Sequence, residues 1–249
     1  MPDSTGIELI RPDWPAPANV LAFTTTRKGG CSDAPWDGLN LGTTCGDDPQ
    51  NISKNRQLLR SLLPSEPHWL AQVHGNRVIN WEASRILQPK ADAVTSRRPG
   101  RVCAVLSADC LPVLFCNKDG TRVAAAHAGW RGLAAGILEA TVSVLDCDPR
   151  DLMAWLGPAI GPSAFEVGHD VHDTFITLNI ENSTAFKVHG DRWLADLYEL
   201  ARLILAKTGI RQVSGGQYCT WSDSERFYSY RRDSVMGRMA SVIWLENKI

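Results

Sequence analysis

Short apolar runs recur along the chain and are separated by polar residues, glycines and prolines. Runs of this kind, rich in valine, alanine, leucine and isoleucine, are typical of β-strands, and runs without alternation are typical of strands buried on both faces. The pattern predicts strands at residues 20–26, 78–81, 102–106, 113–116, 123–126, 152–156 and 239–245. A chain with so many short strands is expected to build its core around β-sheet.

Helical periodicity appears between these runs. Residues 51–63 begin with a capping candidate at Asn51, residues 132–145 place apolar side chains on one stripe, and residues 193–207 stop before Gly209. Helices and strands do not alternate as regular βαβ units, and no glycine-rich nucleotide motif follows a strand. The sequence therefore predicts an α+β fold with a mixed, sandwich-like β-sheet core flanked by helices.

The composition is that of an ordinary globular protein. The 249 residues are 44% hydrophobic and 21% charged, and without a linker, repeat or low-complexity tract they are expected to form one domain, residues 1–249. A formal net charge of -1 creates no general positive field, so neither nucleic acid nor membrane is an expected partner. The most apolar stretch, residues 102–116, is interrupted by polar residues and is too short to span a bilayer.

The N-terminus and the cysteines bear on location. Residues 1–17 contain acidic residues and prolines and lack the basic and apolar regions of a secretory signal. The seven cysteines are an odd number and lack the density of a disulfide scaffold. These features predict a cytoplasmic protein with reduced thiols.

Three potential metal ligands stand beside glycine or proline at the ends of apolar runs. They are His74 in Gln-Val-His-Gly-Asn, Cys110 in Ala-Asp-Cys-Leu-Pro and His127 in Ala-His-Ala-Gly-Trp. Two histidines and one cysteine without an evident fourth ligand are the donor set of a catalytic zinc, which keeps one coordination position open. The sequence separations between these three residues match no local zinc-ligand spacing. The residues alone therefore also permit a structural alternative, in which the cysteine is buried in the core and the histidines are hydrogen-bonded.

Several longer motifs match those of a known bacterial family. They are Ala-Asp-Cys-Leu-Pro-Val-Leu-Phe at 108–115, His-Ala-Gly-Trp-Arg-Gly at 127–132, Leu-Gly-Pro-Ala-Ile-Gly-Pro at 156–162 and Phe-Tyr-Ser-Tyr-Arg-Arg-Asp at 227–233. On these motifs the chain resembles the bacterial laccase-domain family from Thr24 to Leu245. Members of that family have been called polyphenol oxidase, purine nucleoside phosphorylase and peptidoglycan editing factor.

The resemblance implies a single α+β domain in which His74, Cys110 and His127 bind zinc. The laccase label implies copper instead. The six histidines of the chain include no His-x-His pair and are too few for a blue-copper site plus a three-copper cluster. Zinc is therefore the expected cofactor, and copper is not expected to be the working metal.

The resemblance also implies phosphorolysis of adenosine, inosine and methylthioadenosine, and hydrolytic deamination of adenosine. For deamination, zinc would lower the pKa of bound water to about 7, and Asp109 is the candidate proton carrier. Phosphorolysis needs an anion site, for which Arg27 before Lys-Gly-Gly is the first candidate and Arg131 the second. Asn40, in the Leu-Asn-Leu-Gly match, is a further candidate substrate contact.

These candidates have structural alternatives. Neighbours in a strand face opposite sides, so Asp109 beside Cys110 can instead hold a loop. Arg27 and Arg131 can form salt bridges or lie on the surface. The chain also departs from the family at Thr44, where a histidine is frequent, and threonine cannot act as an acid at neutral pH.

Cys110 also permits a different enzyme. With His127 or His74 as base and Asp109 as the orienting acid, it would be the nucleophile of an amidase that edits a peptidoglycan precursor. A thiol nucleophile needs only one imidazole, so two histidines favour the metal interpretation.

A third hypothesis is a non-catalytic binding module stabilised by zinc. A structural zinc needs a fourth protein ligand, for which Cys45, Cys103 or a carboxylate is the candidate. Apart from Cys110, the cysteines are expected to pack as small hydrophobic residues. The sequence does not predict an oligomeric state.

Overall fold

Two large β-sheets pack against each other in the structure, a computed structural model that describes residues 6–84 and 86–247. Within these residues the strands are β1 Leu9–Ile10, β2 Val20–Thr25, β3 Val78–Asn80, β4 Ala93–Ser96, β5 Cys103–Ser107, β6 Leu111–Asn117, β7 Val123–Ala128, β8 Leu152–Leu156, β9 Glu166–Val167, β10 Phe186–His189, β11 Arg192–Ala195, β12 Gln212–Gly215 and β13 Met239–Leu245. The α-helices are α1 Pro49–Arg60, α2 Trp130–Ala134, α3 Ile137–Leu145, α4 His169–Leu178, α5 Leu197–Thr208 and α6 Tyr230–Asp233. Short 3-10 turns occur at Pro149–Asp151 and Ile180–Ala185.

The larger sheet is mixed. Its order is β12-β8-β6-β7-β4-β3, with parallel pairing at both edges and antiparallel pairing between β8, β6, β7 and β4. The second sheet, β1-β2-β13-β5, is antiparallel throughout, and β10-β11-β9 forms a small third sheet. The predicted α+β class with a mixed, sandwich-like core is confirmed.

Side-chain alternation along the strands produces the layers. Met239 and Ile243 of β13 face the core between the two large sheets, whereas Val242 and Trp244 face the opposite side with Leu59 of α1. Full burial of such a side chain contributes about 1.5–3 kcal/mol. The four-stranded sheet is therefore covered by α1 on one face and by the six-stranded sheet on the other.

The central strand β6 is apolar on both faces. Val113 packs with Leu138 of α3 and Leu200 of α5, whereas Leu114 packs with Val105 of the other sheet. This double burial explains why the strand appears in the sequence as a continuous apolar run. The layers are, in order, α1, the four-stranded sheet, the six-stranded sheet, and α3 with α5.

The predicted helix at 51–63 lies slightly earlier in the chain. It starts at Pro49, and Asp48 caps it by accepting a hydrogen bond from Gln50 N at 2.8 Å. The prediction of Asn51 as the cap is therefore wrong. An aspartate followed by proline at the first helical position is a stronger start signal than an asparagine alone.

The other two predicted helices are partly wrong. Residues 132–145 are divided between α2 and α3, because Gly136 takes the left-handed conformation at φ 85° and interrupts the ladder. Residues 192–195 form β11, and α5 begins only at Leu197, after Asp196 accepts hydrogen bonds from two backbone N–H groups. Gly209 ends α5 at φ 97°, as predicted.

Among the described residues, no helix combines the length and the apolar character needed to cross a bilayer.

Candidate metal centre

The strand register brings the predicted ligands to one edge of the six-stranded sheet. Because β6 and β7 are antiparallel, the start of β6 lies beside the end of β7, and Pro112 pairs with His127. Cys110 directly precedes β6. The neighbouring strand β4 also starts at this edge, and His127 N donates to the carbonyl oxygen of Asp92 at 2.7 Å.

His74, Cys110 and His127 converge there. Their ligand atoms lie within 4.8 Å of one another, and the two imidazole rings meet edge to face with centroids 4.8 Å apart. A Cβ atom on Gly129 would lie 2.8 Å from Cys110 Sγ, so only glycine leaves the cluster its space. The structure thus brings together the three residues that the sequence offers as candidate metal ligands.

A carboxylate that sequence reasoning missed organises the cluster. Asp92 is fully buried, and its Oδ1 lies 2.9 Å from His127 Nδ1. The same carboxylate accepts the backbone N–H groups of Val73, His74 and Gly75 at 3.2, 2.9 and 2.8 Å. Asp92 therefore orients one histidine through its ring and the other through its backbone, as carboxylates behind metal-bound histidines do.

The backbone at His74 is held in an unfavourable conformation. Its φ is 60°, in the left-handed region that non-glycine residues seldom occupy. Such conformations cost about 1–3 kcal/mol and persist where surrounding contacts fix them. The hydrogen bonds to Asp92 are those contacts.

The charges in the cluster favour the ligating form of the cysteine. Burial raises the pKa of Cys110, but the positive charges and hydrogen bonds of His127 and His74 lower it overall to about 6. Burial lowers the pKa of His127, and Cys110 and Asp92 more than reverse this, raising it to about 9. Burial raises the pKa of Asp92, whereas hydrogen bonds from His127 and the loop amides bring it below its usual value. A thiolate is the form that binds metals.

The donor set is open. Among the described residues the group contains three side chains, and neither Cys45 nor Cys103 belongs to it. Cys45 lies in a loop where its thiol donates to Gly42 O, and Cys103 is buried between the sheets. The fourth ligand that a closed structural zinc site needs is therefore not supplied by these two cysteines.

The remaining cysteines differ in burial. Cys103 and Cys116 are buried, as expected of packing residues, but Cys31 is exposed and that expectation is wrong for it. All seven thiols are free. Cys219 is half-buried and its sulfur accepts a hydrogen bond from Gly161 N.

Asp109 holds the loops beside the centre. It is buried at φ 88°, and its carboxylate accepts hydrogen bonds from the Thr220 hydroxyl at 2.6 Å, the Ser229 hydroxyl at 3.0 Å and Arg231 N at 2.7 Å. In the cysteine-nucleophile hypothesis Asp109 would orient the histidine base, but at His127 this position is occupied by Asp92. The loop-holding alternative describes its contacts.

Arg27 and Asn40 are engaged elsewhere. Arg27 pairs with Asp37 at 2.8 Å and lies over the Tyr228 ring. Asn40 is fully buried, and its amide bonds to Asp47 and to the backbone of Arg238. Direct contact of either side chain with a substrate would require these bonds to be exchanged.

Arg131 and Thr44 are more accessible. Arg131 is exposed in α2, two residues after Gly129, and its guanidinium lies 4.4 Å from the ring centroid of Trp130. Thr44 is also exposed. Arg131 is thus the sequence-predicted phosphate ligand nearest in the chain to the ligand residue His127.

Within residues 6–84 and 86–247, the site consists of an open His₂Cys group at the edge of a sheet sandwich. The chain belongs to the family described as multi-copper polyphenol oxidoreductase laccase, whose model matches residues 21–246. It is 54% identical over 240 residues to purine nucleoside phosphorylase YfiH of Escherichia coli (strain K12), covering 96% of this chain and 99% of that one. It is 53% identical over 240 residues to a purine nucleoside phosphorylase of Pseudomonas aeruginosa, covering 96% and 98%.

Solved structures share the fold. A crystal structure of a Neisseria meningitidis protein matches with a TM-score of 0.92 at 49% identity, covering 96% of this chain and 99% of that one. YlmD of Geobacillus stearothermophilus matches with a TM-score of 0.90 at 30% identity, covering 99% and 98%. The likeness therefore extends over nearly the whole chain.

Proposed function

We propose that the protein is a zinc-dependent enzyme that phosphorolyses adenosine, inosine and methylthioadenosine and deaminates adenosine. The observation that carries this proposal is the convergence of His74, Cys110 and His127 within 4.8 Å as an open three-ligand group. The relatives from Escherichia coli and Pseudomonas aeruginosa are named purine nucleoside phosphorylases, which supports the same substrate class.

The donor set fits zinc. Imidazole nitrogen and thiolate sulfur are usual zinc ligands, and three protein ligands with one open position are the arrangement of catalytic sites. The family description refers to several copper ions, but one three-ligand group among the described residues does not provide for a multicopper cluster. When bound, zinc would supply Lewis-acid chemistry and activate water.

The protein residues then have separate tasks. His74, Cys110 and His127 would hold the metal, and Asp92 would keep the His127 Nδ1 proton directed at itself, which leaves Nε2 for the metal. Gly129 would keep the space around the thiolate free.

Exposed aromatic side chains near Asp109 suit a purine. Trp221 follows Thr220, and Tyr230 precedes Arg231, so each is next to a residue that bonds the Asp109 carboxylate. Trp221 is 45% exposed and Tyr230 60% exposed. Flat, exposed rings provide stacking surfaces for a base.

Phosphorolysis forms a bond between a phosphate oxygen and ribose C1′ and breaks the C1′–N9 bond, and the released purine takes up a proton. We assign the phosphate to Arg131 in preference to Arg27, because the Arg27 charge is already paired with Asp37. In deamination, water oxygen bonds to purine C6 and ammonia leaves. Asp109 remains the proposed proton carrier, and Asn40 a proposed residue of the substrate site.

Incubation of the purified protein with adenosine, with and without phosphate, tests the proposal. We expect adenine and ribose 1-phosphate only when phosphate is present, and inosine with ammonia in either case, measured by liquid chromatography. Metal analysis of the same sample should give about one zinc per chain, as expected for one three-ligand site. Absence of all purine products from zinc-loaded protein would contradict the proposal.

The second candidate is an amidase that edits a peptidoglycan precursor. It is favoured by the thiol of Cys110, whose pKa is lowered to about 6 beside a histidine that a carboxylate orients. These are the features of a cysteine nucleophile, with Asp92 in the orienting position. Release of serine or glycine from a muropeptide carrying that residue, without turnover of nucleosides, would support this activity.

A further inference from the structure

A cleft separate from the metal centre lies along helix α1. Its volume is about 410 Å³, and its polar lining consists of Thr43, Ser53, Arg56, Gln57, Arg60 and Glu66. Helix α1 covers the four-stranded sheet, whereas the His₂Cys group lies at the edge of the six-stranded sheet. The cleft therefore belongs to a different layer of the molecule.

Two guanidinium groups in the cleft are bonded to backbone carbonyls. Arg56 donates to Leu41 O from Nε and Nη2 at 3.1 and 2.9 Å, and Arg60 donates to Leu63 O and Pro64 O. The Arg56 guanidinium also lies over the Trp69 ring, 4.2 Å from its centroid. These contacts fix both side chains but do not neutralise their charge.

The side chains that line the cleft carry a net positive charge. Glu66 is the acidic residue of its lining, and one of its oxygens accepts the indole N–H of Trp69 at 2.7 Å. Two positive charges facing one negative charge leave a net charge of about +1. Burial lowers the pKa of Arg56, and Glu66 opposes this effect. A bound anion would compensate the remaining charge.

Exposed donors surround the arginines. The side chains of Thr43, Ser53 and Gln57 are exposed and form no hydrogen bond with another described residue. Arg56 Nη1 and Arg60 Nε also remain for a ligand, because the carbonyl bonds use the other nitrogens. Several N–H and O–H groups around two fixed guanidiniums suit the oxygens of a phosphate group.

We propose that this cleft binds a small phosphate monoester, with the phosphate between Arg56 and Arg60. The volume is within the range of about 300–1,000 Å³ of small-molecule sites, so it admits more than the phosphate group itself. Pro49 and Ile52 provide apolar surface for the rest of the ligand. The ligand would bridge α1 and the loop that carries Thr43.

Isothermal titration of folded Cys110→Ala protein, with and without Ser53→Glu, tests this site with adenosine monophosphate, inorganic phosphate and adenosine as ligands. The Cys110→Ala background should not turn over adenosine, and only binding at the cleft should respond to Ser53→Glu. We expect the monoester to bind at least about tenfold more tightly than either other probe, because it combines charge with apolar contact. Adenosine bound at the cleft as tightly as the monoester, as shown by loss of its affinity in Ser53→Glu, would overturn the role of phosphate. Inorganic phosphate bound there as tightly, by the same criterion, would overturn the assignment to an ester.

Variants locate the binding. Ser53→Glu adds a carboxylate beside the arginines and removes no observed side-chain bond, so we expect about a tenfold loss of monoester affinity. Lys54→Gln makes the same change in net charge on the same helix, outside the lining, and should change affinity less than about twofold. Equal effects of the two variants, or no effect of Ser53→Glu, would overturn the proposal.

A variant of the metal centre separates this inference from the proposed function. Cys110→Ala should keep the monoester affinity of the cleft even though it loses turnover. Loss of monoester binding in folded Cys110→Ala would place the ligand at the metal centre. This result would overturn the proposed cleft site but not the proposed function. Failure of the nucleoside assays leaves the titration result unchanged.

Discussion

The metal centre and the loop packed against α1 are both polar clusters, but they satisfy their groups differently. Asn55 of α1 donates from its amide to Ser32 Oγ and Asn40 O of the loop at 2.9 Å each, and its Oδ1 accepts a hydrogen bond from Cys31 N at 2.9 Å. Asp47 accepts from Ser32 and from Asn40 at 2.6 and 2.8 Å. The network closes on itself.

The metal centre directs its groups inward to a common point. Asp92 is fully used in holding His127 and the backbone around His74, whereas the ligand atoms of His74, Cys110 and His127 face one another. A buried polar group that has its partners in the protein stabilises a loop, whereas converging lone pairs without further protein partners invite a ligand. This difference separates polar groups whose hydrogen bonds are complete within the protein from donor atoms that remain for a ligand.

The largest expected effect is at the thiolate. Cys110→Ala should abolish zinc binding and lower turnover of adenosine by at least about a thousandfold, because the metal loses one of three ligands. Zinc is measured by elemental analysis and turnover by chromatography. The exposed Cys31 provides the matched control, and Cys31→Ala should retain both properties. Lost turnover with zinc retained would instead support Cys110 as a nucleophile.

A substitution in the closed network should lower stability without affecting zinc binding. Asn55→Ala removes the partner of the Asn40 carbonyl and of the Cys31 amide, and it removes one of the two hydrogen bonds of the Ser32 hydroxyl. The free energy of unfolding should therefore fall by about 2–4 kcal/mol. Urea unfolding measures this loss, and the zinc content of the folded protein should not change.

The control for Asn55→Ala lies on the same helix. Lys54→Ala changes an exposed residue and should alter stability by less than about 0.5 kcal/mol. Loss of zinc from folded Asn55→Ala would show that the network and the metal centre are coupled and would contradict their independence.

Asp92 shares a feature with each region. Its carboxylate is fully hydrogen-bonded, like the groups of the network, but its bonds hold the candidate ligands His74 and His127. Asp92→Asn replaces one acceptor oxygen by an amide that faces N–H donors, so zinc affinity should fall by about 10–100-fold. Competition with a chromogenic chelator measures the affinity. Asp191→Asn, in the exposed turn between β10 and β11, should leave it unchanged.

Much of the sheet could be predicted from the sequence because burial makes continuous apolar runs. Strands β6 and β7 are buried along their whole length, and β13 matched its predicted bounds, residues 239–245. Strand β10 escaped prediction because three of its four residues are exposed. This strand forms by pairing with β11, and the local sequence pattern does not predict that pairing.

The candidate site also contains residues that the sequence could predict and residues that it could not. His74, Cys110 and His127 were identifiable by their chemistry and motifs, but Asp92 becomes a partner of His127 only through the antiparallel register of β4 and β7. The aspartate before a buried strand was a weak signal. Asp109, next to Cys110 in sequence, faces Thr220 and Ser229 instead. Proximity along the chain was therefore a poor guide to which carboxylate serves the histidine.

The smallest effect is expected at Cys45. Cys45 is the second cysteine named as a ligand candidate, but its thiol donates to Gly42 O at 3.2 Å within the closed loop. Cys45→Ser keeps a donor at this position, so zinc content and adenosine turnover should change by less than about twofold. The serine hydroxyl is a poor zinc ligand compared with thiolate, so a fourth ligand at this position would be lost. A fall in zinc content would therefore show that the site is closed by Cys45 and favour the structural-zinc hypothesis, whereas unchanged content leaves the fourth position open to substrate.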